Sequence, residues 1–388
     1  MIIQTYFPHI GGAERQLAAL APGLQAQGVE VHVLTRRTAG LARFEIVAGV
    51  PVHRIAAPGP RAIAPLAFTL SALPILHKLR PDVLHAHDLL SPTTTALTAK
   101  RLFGTPVVVK VLRGGTLGDL ARVRSKPLGA RRIESFRRHV DAFVAISQEI
   151  AAELAAIGIP AERRPLIPNG VDAERFTPLA PDRRAELRAA LDLPDVPIVL
   201  FSGRLTPEKC ADRLVTLWPS VRAAHPDALL LVVGGGPQEP VLRQLAGPGV
   251  RFAGRVDDVV PYLWAADLFV LPSATEGLSN SMLEAMAVGL PAIATAVGGA
   301  PDVIAHGDNG WLIPPNAPGA LEEALLTILG DPGLRVALGR RARQRVASDY
   351  SLSTTATRLR ALYDQLLLGR TSAHMSNSAL ESLEQEPA

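Results

Sequence analysis

Pro194-Asp-Val-Pro-Ile-Val-Leu-Phe-Ser-Gly-Arg204 opens the second half of the chain with an apolar run, Ile198 to Phe201, that ends on Ser202-Gly203 and a cation. Such a run, bounded by turn residues, reads as a buried strand feeding a loop. Downstream the same rhythm returns, with strands expected over 228–234, 250–253, 268–272, 291–296 and 311–314 and helical runs between them. Upstream it is already present, at 29–35, 50–55, 82–87, 106–112 and 142–147. The clearest helix there covers 13–27, with Leu17, Leu20 and Leu24 on one face. Alternation of this kind is the signature of parallel sheets covered by helices. Pro165, Pro168, Asn169, Gly170, Pro178 and Pro181 cluster between the halves and mark a linker near 168–181. The reading is therefore α/β, with two doubly wound domains facing a central cleft, over 1–170 and 171–350. Ligands of such sheets bind outside the carboxyl ends of the strands. Met1-Ile-Ile-Gln-Thr-Tyr-Phe-Pro8 leaves only a stub for the first central strand, which is expected to be clipped. The tail over 371–388 is polar, lacks periodicity and is expected to be disordered.

The composition fits large cores: of 388 residues, 48% are hydrophobic and 20% charged. No apolar run reaches the roughly 18 residues of a membrane span, the best stretch, 63–76, being broken by Pro65 and Pro74. No secretory signal is visible, and one cysteine, Cys210, excludes an internal disulfide framework, so a cytoplasmic setting is expected. Net charge is only +4. Its distribution is uneven, with eleven Lys and Arg against two acidic residues between Lys100 and His139. That segment suits an anionic membrane surface, so peripheral attachment to the inner face is one expectation. A solvated arginine-rich helix is the alternative.

Glu276-Gly-Leu-Ser-Asn-Ser-Met-Leu-Glu284 places two carboxylates eight positions apart across a helix start. Free N–H groups at the turn through Gly277, Ser279 and Asn280 make that start an anion site. The two acids could touch two parts of one extended ligand, or be a favourable charge near a helix start and a solvated side chain. Arg204 and Lys209 emerge where a strand ends, and two cations there suit a diphosphate. Gly234-Gly235-Gly236 follows a strand, and Gly11-Gly12 opens a helix in the other half, so a phosphate between the halves could meet both turns. His85 and His87 alternate at a strand end: His85 reads as a packed structural histidine, His87 and Asp88 as acceptor-side groups. Cys210 lies beside a cation and a helix start; a small residue in a tight turn is the reading preferred over an acidified thiol. The chain holds no Asp-x-Asp signature, so no metal is expected.

Taken in order, Gly11-Gly12-Ala-Glu14, Ile167-Pro-Asn-Gly-Val-Asp172, Gly203-Arg204 with Glu208-Lys209, Gly-Gly-Gly-Pro237, Glu276 with Glu284, and Gly298-Gly299 resemble the retaining family-4 glycosyltransferases of GT-B architecture. The resemblance runs from about residue 4 to 365 and implies transfer of a sugar from a nucleotide-diphosphate donor to a sugar, glycan or lipid-linked acceptor of the cell envelope, which the basic segment would meet at a membrane surface, with no other cofactor. It implies that Glu276, Arg204 and Lys209 are catalytic, Arg204 and Lys209 neutralising the pyrophosphate and Glu276 meeting the sugar. Glu284 would hold the ribose, Val256 would lie near the base, and Gly11, Gly12, Gly235 and residues 277–281 would contact the donor by backbone. A helix over 351–370 would pack back toward the first domain. Many relatives carry a histidine where Leu112 stands, so the acceptor-side contact would fall to Arg113, Lys110 or the Gly114-Gly115 backbone. Two further readings stay open: a nucleotide-sugar epimerase of the same fold, and a non-catalytic sugar-nucleotide binding protein.

Overall fold

The computed structural model describes residues 1–8, 11–60 and 63–383. In the first domain the strands are β1 (Val33–Arg36), β2 (Phe44–Val47), β3 (Val50–Ile55), β4 (Leu84–His87), β5 (Val107–Val111) and β6 (Ala142–Ala145). They form two three-stranded sheets, β1-β3-β2 and β4-β5-β6. Ile2 joins them, bridging Leu34 on one side and Ala86 on the other. Its N–H donates to the His85 carbonyl at 2.8 Å and its carbonyl accepts from His87 N–H at 2.9 Å. The stub therefore lies at the centre of one sheet, next to the turn that opens the helix Gly12–Ala26.

Every pair in this sheet is parallel except β2 with β3. Strand β2 was not anticipated. Its hairpin turns through Ala48 and Gly49, with φ of 48° and 79°. Two successive left-handed residues are what a tight two-residue hairpin needs, and Ala-Gly is a weak signal for it beside Asn-Gly. As an edge strand, β2 leaves Phe44 and Ile46 exposed.

The second domain contains β7 (Ile198–Ser202), β8 (Leu229–Val233), β9 (Val250–Gly254), β10 (Leu268–Leu271), β11 (Ala292–Thr295) and β12 (Trp311–Ile313). Their order is β9-β8-β7-β10-β11-β12, all parallel. Strands β7 and β10 are buried at every position, which explains why they read as continuous apolar runs without alternation. Each buried Val, Leu or Phe contributes about 1.5–3 kcal/mol relative to exposure. The direction of winding reverses between β7 and β10, so the crevice beyond their carboxyl ends is the topological switch point.

Two crossings connect the domains, and they pair with each other. Val171 N–H donates to the Tyr350 carbonyl at 2.8 Å, and Leu352 N–H to the Val171 carbonyl at 2.9 Å. The helix Leu352–Leu383 then returns to the first domain, packing along Gly12–Ala26. Gln27 donates to Thr357 at 3.2 Å, Arg360 to the Gln27 carbonyl at 2.5 Å, and Tyr363 O–H lies 2.6 Å from His85 Nδ1. The helix runs past 370, where periodicity fades and disorder over 371–388 was expected; no Pro or Gly follows Gly369 before Pro387 to stop it. Residues 384–388 lie outside the described residues. Among the described residues no helix is long and apolar enough to cross a membrane.

Candidate active site

The loops leaving β7 and β10 build one wall of the cleft. After β7 the chain runs through Arg204 to a short turn, Pro207–Lys209, which passes through Cys210 at φ 50° into the helix Ala211–Ala224. Left-handed backbone is where glycine is usual, so Cys210 is a small residue in a tight turn, and burial raises its thiol pKa. After β10 comes Ser273 and then Glu276. Lys209 Nζ donates to Glu276 Oε1 at 2.5 Å, and Ser273 Oγ donates to the same oxygen at 2.7 Å. Glu276 is 8% exposed. Sequence reasoning gave Lys209 and Glu276 separate partners in a ligand; the structure couples them as an ion pair on the crevice floor.

Arg204 behaves differently. It is exposed, and its guanidinium makes no hydrogen bond or ion pair with any described residue. A Cβ placed on Gly11 would stand 3.4 Å from its Nη2. The guanidinium thus faces the first domain's glycine turn across the cleft. Gly12 presents its carbonyl to Asn280 Nδ2 at 3.0 Å.

Glycines set the close approaches. Gly277 lies against the first domain: a Cβ there would meet the Leu112 carbonyl at 2.0 Å and Ile146 at 3.0 Å. Leu112 is therefore a backbone contact between domains, not an empty side-chain position. Gly234, at φ 130°, packs on the Gly203 carbonyl, and the Gly235 carbonyl accepts from Leu205 N–H at 3.1 Å. This glycine turn buttresses the loop that carries Arg204. Gly299 N–H donates to the Gly277 carbonyl at 2.6 Å, bracing the helix start from behind. That helix, Asn280–Ala287, is capped by Ser279, whose Oγ accepts from Met282 N–H at 3.4 Å and lies 3.1 Å from Ser281 Oγ. Leu278 is buried.

Glu284 is half-buried on the same helix, and burial pushes its pKa up to about 7, with Arg15 and Arg175 opposing. Val256, partly buried against the core, follows β9 in the same region. Asp302 receives Gln148 N–H at 2.8 Å and so ties the second domain to the start of the first domain's helix Gln148–Ala156.

The acceptor-side residues divide. His85 and His87 do not face different ways: residues two apart on a strand share a face, and their rings stack at 4.6 Å. His87 is buried at 2%, and burial with His85 and Lys110 nearby holds its pKa well below the usual histidine range. Lys110 pairs in register with His87 and is equally buried, so it does not supply a cleft contact; burial lowers its pKa to about 8. Asp88 sits at φ 101° and receives Leu90 N–H at 2.5 Å; burial and then Asp119 raise its pKa to about 6. Asp119, which sequence reasoning missed, receives Leu112 N–H at 2.7 Å. Arg113 and Gly115 are half-exposed at the rim, Gly115 with its Cβ position 3.7 Å from Thr275 of the other domain.

Residues 10–175 match the Glycosyltransferase Family 4 domain and residues 196–331 the Glycosyl transferases group 1 domain. A D-inositol 3-phosphate glycosyltransferase of Jonesia denitrificans is 31% identical over 92% of this chain and 91% of its own length. The chain belongs to the family-4 glycosyltransferases. It is also 38% identical to a GDP-mannose-dependent monoacylated alpha-(1-6)-phosphatidylinositol monomannoside mannosyltransferase of Corynebacterium glutamicum, over 50% of this chain. That match spans 54% of the relative's length. Among solved structures, sucrose-phosphate synthase from Thermosynechococcus elongatus superposes with a TM-score of 0.78 at 27% identity, over 92% of this chain and 94% of that one. The chain thus has the two facing α/β domains of GT-B type, with the crevice beyond β7 and β10 at the topological switch point of the second.

Proposed function

We propose that this glycosyltransferase moves a sugar from a nucleotide-diphosphate donor to a hydroxyl of a lipid-linked or cell-envelope glycan acceptor, with retained anomeric configuration. The observation that carries the reading is Arg204, an exposed guanidinium without a partner among the described residues, beside the Gly11-Gly12 turn across the cleft. A diphosphate in that gap meets Arg204 and Lys209 from one wall. It also meets free N–H groups of the helix start at Asn280 and the backbone of the glycine turn. Breaking the sugar–diphosphate bond develops negative charge on the leaving oxygen, and fixed cations stabilise it where it forms. No metal is invoked in this scheme. Glu276 commits Oε1 to Lys209 and Ser273 and leaves Oε2 for a sugar hydroxyl. Glu284 takes the ribose hydroxyls, with the base toward Val256.

The names of the relatives supply the first probes, GDP-mannose as donor and an inositol phosphate or phosphatidylinositol as acceptor. A bilayer-borne acceptor is further supported by Leu117 and Leu128, 53% and 65% exposed, on the segment that carries Arg122, Arg124, Lys126 and Arg131. Arg122 lies 3.9 Å from Asp119, while Arg124, Lys126 and Arg131 have no ion pair among the described residues; apolar tips among such cations suit anionic lipid, each cation adding about 1 kcal/mol near the surface. Flotation with phosphatidylinositol vesicles, against neutral phosphatidylcholine vesicles, tests that part; binding to neither removes it. The activity is tested by incubating GDP-mannose or UDP-glucose with those acceptors and assigning the product's anomeric configuration by proton NMR. Retention is expected. An inverted product, or an epimeric nucleotide sugar formed without acceptor, contradicts the reading; donor binding without turnover on any acceptor makes the chain a non-catalytic binder.

A further inference from the structure

Three neutral amides lie together where the domains meet. Asn280 Nδ2 donates to the Gly12 carbonyl at 3.0 Å, and Asn169 Nδ2 donates both to Asn280 Oδ1 and to the Leu278 carbonyl, each at 3.1 Å. The Gln16 amide, with its nitrogen toward the Gly170 carbonyl, exchanges two bonds with the Gly170 main chain at 3.0 Å and lies 3.3 Å from Asn280 Oδ1. Gln16 and Asn169 are buried, at 4% and 7% exposure.

These residues come from three different places. Gln16 is one turn along the helix from Gly12, in the first domain. Asn169 and Gly170 belong to the crossing whose next residue, Val171, pairs with Tyr350 and Leu352 of the other crossing; Thr355 Oγ1 adds a bond to the Pro168 carbonyl at 3.2 Å. Asn280 opens the second domain's donor helix. The ladder therefore spans the hinge and ends on both elements that flank the diphosphate gap.

We infer that Asn169 and Gln16 are positioning residues for the transfer reaction, holding the Gly11-Gly12 turn and the start of the helix Asn280–Ala287 at a fixed separation across the hinge. The inference rests on the reading of that gap as the diphosphate site. Asn280 has two rotatable side-chain bonds, and its contact with Gly12 alone would not fix them. Two donors on Oδ1 use both of its lone pairs and turn Nδ2 toward Gly12. Amides do this without placing an ion beside an incoming diphosphate, whereas a carboxylate at either position would set oxygen against carbonyl oxygen and repel the phosphate as well.

Asn169→Leu and Gln16→Met keep roughly the shape, add no charge and remove the N–H donors, so they isolate the ladder. In each, kcat is expected to fall by about thirtyfold or more while the Kd for GDP or UDP, measured by calorimetry, changes by less than about threefold. Native-state hydrogen exchange should rise at Gly170 and residues 280–283, with β7 and β10 still protected. For Asn169→Asp, which adds a charge as well, the ratio of variant to wild-type turnover should climb as pH is lowered toward about 5, because a protonated carboxyl regains one donor. Wild-type kcat in Asn169→Leu or Gln16→Met overturns the inference. So does a parallel loss of kcat, nucleotide affinity and melting temperature in both, or failure of both to fold, which would mark the amides as merely structural. Wild-type protein that transfers no sugar would count against the proposed function instead; the exchange comparison needs no donor and still decides the ladder.

Discussion

Both domains wind outward from a central strand pair, yet they furnish the two resulting crevices in opposite ways. Beyond β7 and β10 the second domain exposes Arg204 and pairs Lys209 with Glu276 at the crevice floor. Beside Ile2 and β4 the first domain buries its titratable groups: His85, His87, Lys110 and Asp88 all have pKa values moved toward the neutral form by burial. At its close approaches to the second domain it presents backbone, at Gly11-Gly12, Leu112 and Gly115, with Glu14 beside Gly11, Arg15 acting on Glu284 and Arg113 at the rim. The difference sets a buried ion pair and an exposed guanidinium on the second domain's wall against close backbone approaches on the opposing wall.

The largest effect should come from the second domain's wall. Lys209→Ala leaves the Glu276 carboxylate without its cation and removes a phosphate contact, at an expected cost of about 2–5 kcal/mol in kcat/KM. Glu276→Gln should lower kcat more than nucleotide affinity, since the residue is assigned to the sugar. A double-mutant cycle joining the two should show strong coupling; additive losses would separate the pair and break the contrast.

On the other wall a charge should be dispensable. Burial lowers the Lys110 pKa from 10.5 to about 8, so the folded state favours the neutral amine. The unfolded chain then holds the proton more tightly, and the resulting cost is fully present below about pH 8 and fades as pH rises toward 10.5. Lys110→Met should therefore stabilise the protein near neutral pH by up to roughly 3 kcal/mol, the gain shrinking at alkaline pH, with turnover retained. Thermal melts across pH, alongside an activity assay, check this; loss of turnover in a stable variant would give the first domain a catalytic charge after all.

A smaller effect concerns Glu284, whose pKa is raised to about 7 in the protein without nucleotide. Ribose hydroxyls donate to the ionised form, so nucleotide affinity should rise as pH is raised through 7, by about five- to tenfold, and Glu284→Gln should flatten the profile. Calorimetric titrations at several pH values would show it. The smallest change is expected for Cys210→Gly. Relief of the left-handed backbone and the added freedom of the unfolded chain nearly offset each other, giving a shift within about 1 kcal/mol by denaturant unfolding.

The grouping on the second domain's wall was legible in the sequence because it is local: Arg204 and Lys209 sit at a strand-to-helix turn, and Glu276 and Glu284 straddle one helix start. Strand positions were legible for the same reason, since buried parallel strands are continuous apolar runs. Pairing between distant segments was not. Nothing in the spacing joins Lys209 to Glu276, Asp302 to Gln148, or Gln16 to Gly170, because each bond depends on how loops from different strands converge. The acceptor wall misled more, since His87 and Lys110 look like cleft residues at strand ends. Their register turns them into the sheet's covered face, beneath the returning helix that carries Tyr363.

Isothermal titration of GDP-mannose and UDP-glucose into wild-type protein and Arg204→Ala tests the central claim most directly. The account predicts binding of at least one donor by the wild type and a loss of roughly thirtyfold or more in affinity on removing the guanidinium. Equal affinity in the two proteins, or no binding of either donor, would contradict a diphosphate held between Arg204 and the Gly11-Gly12 turn.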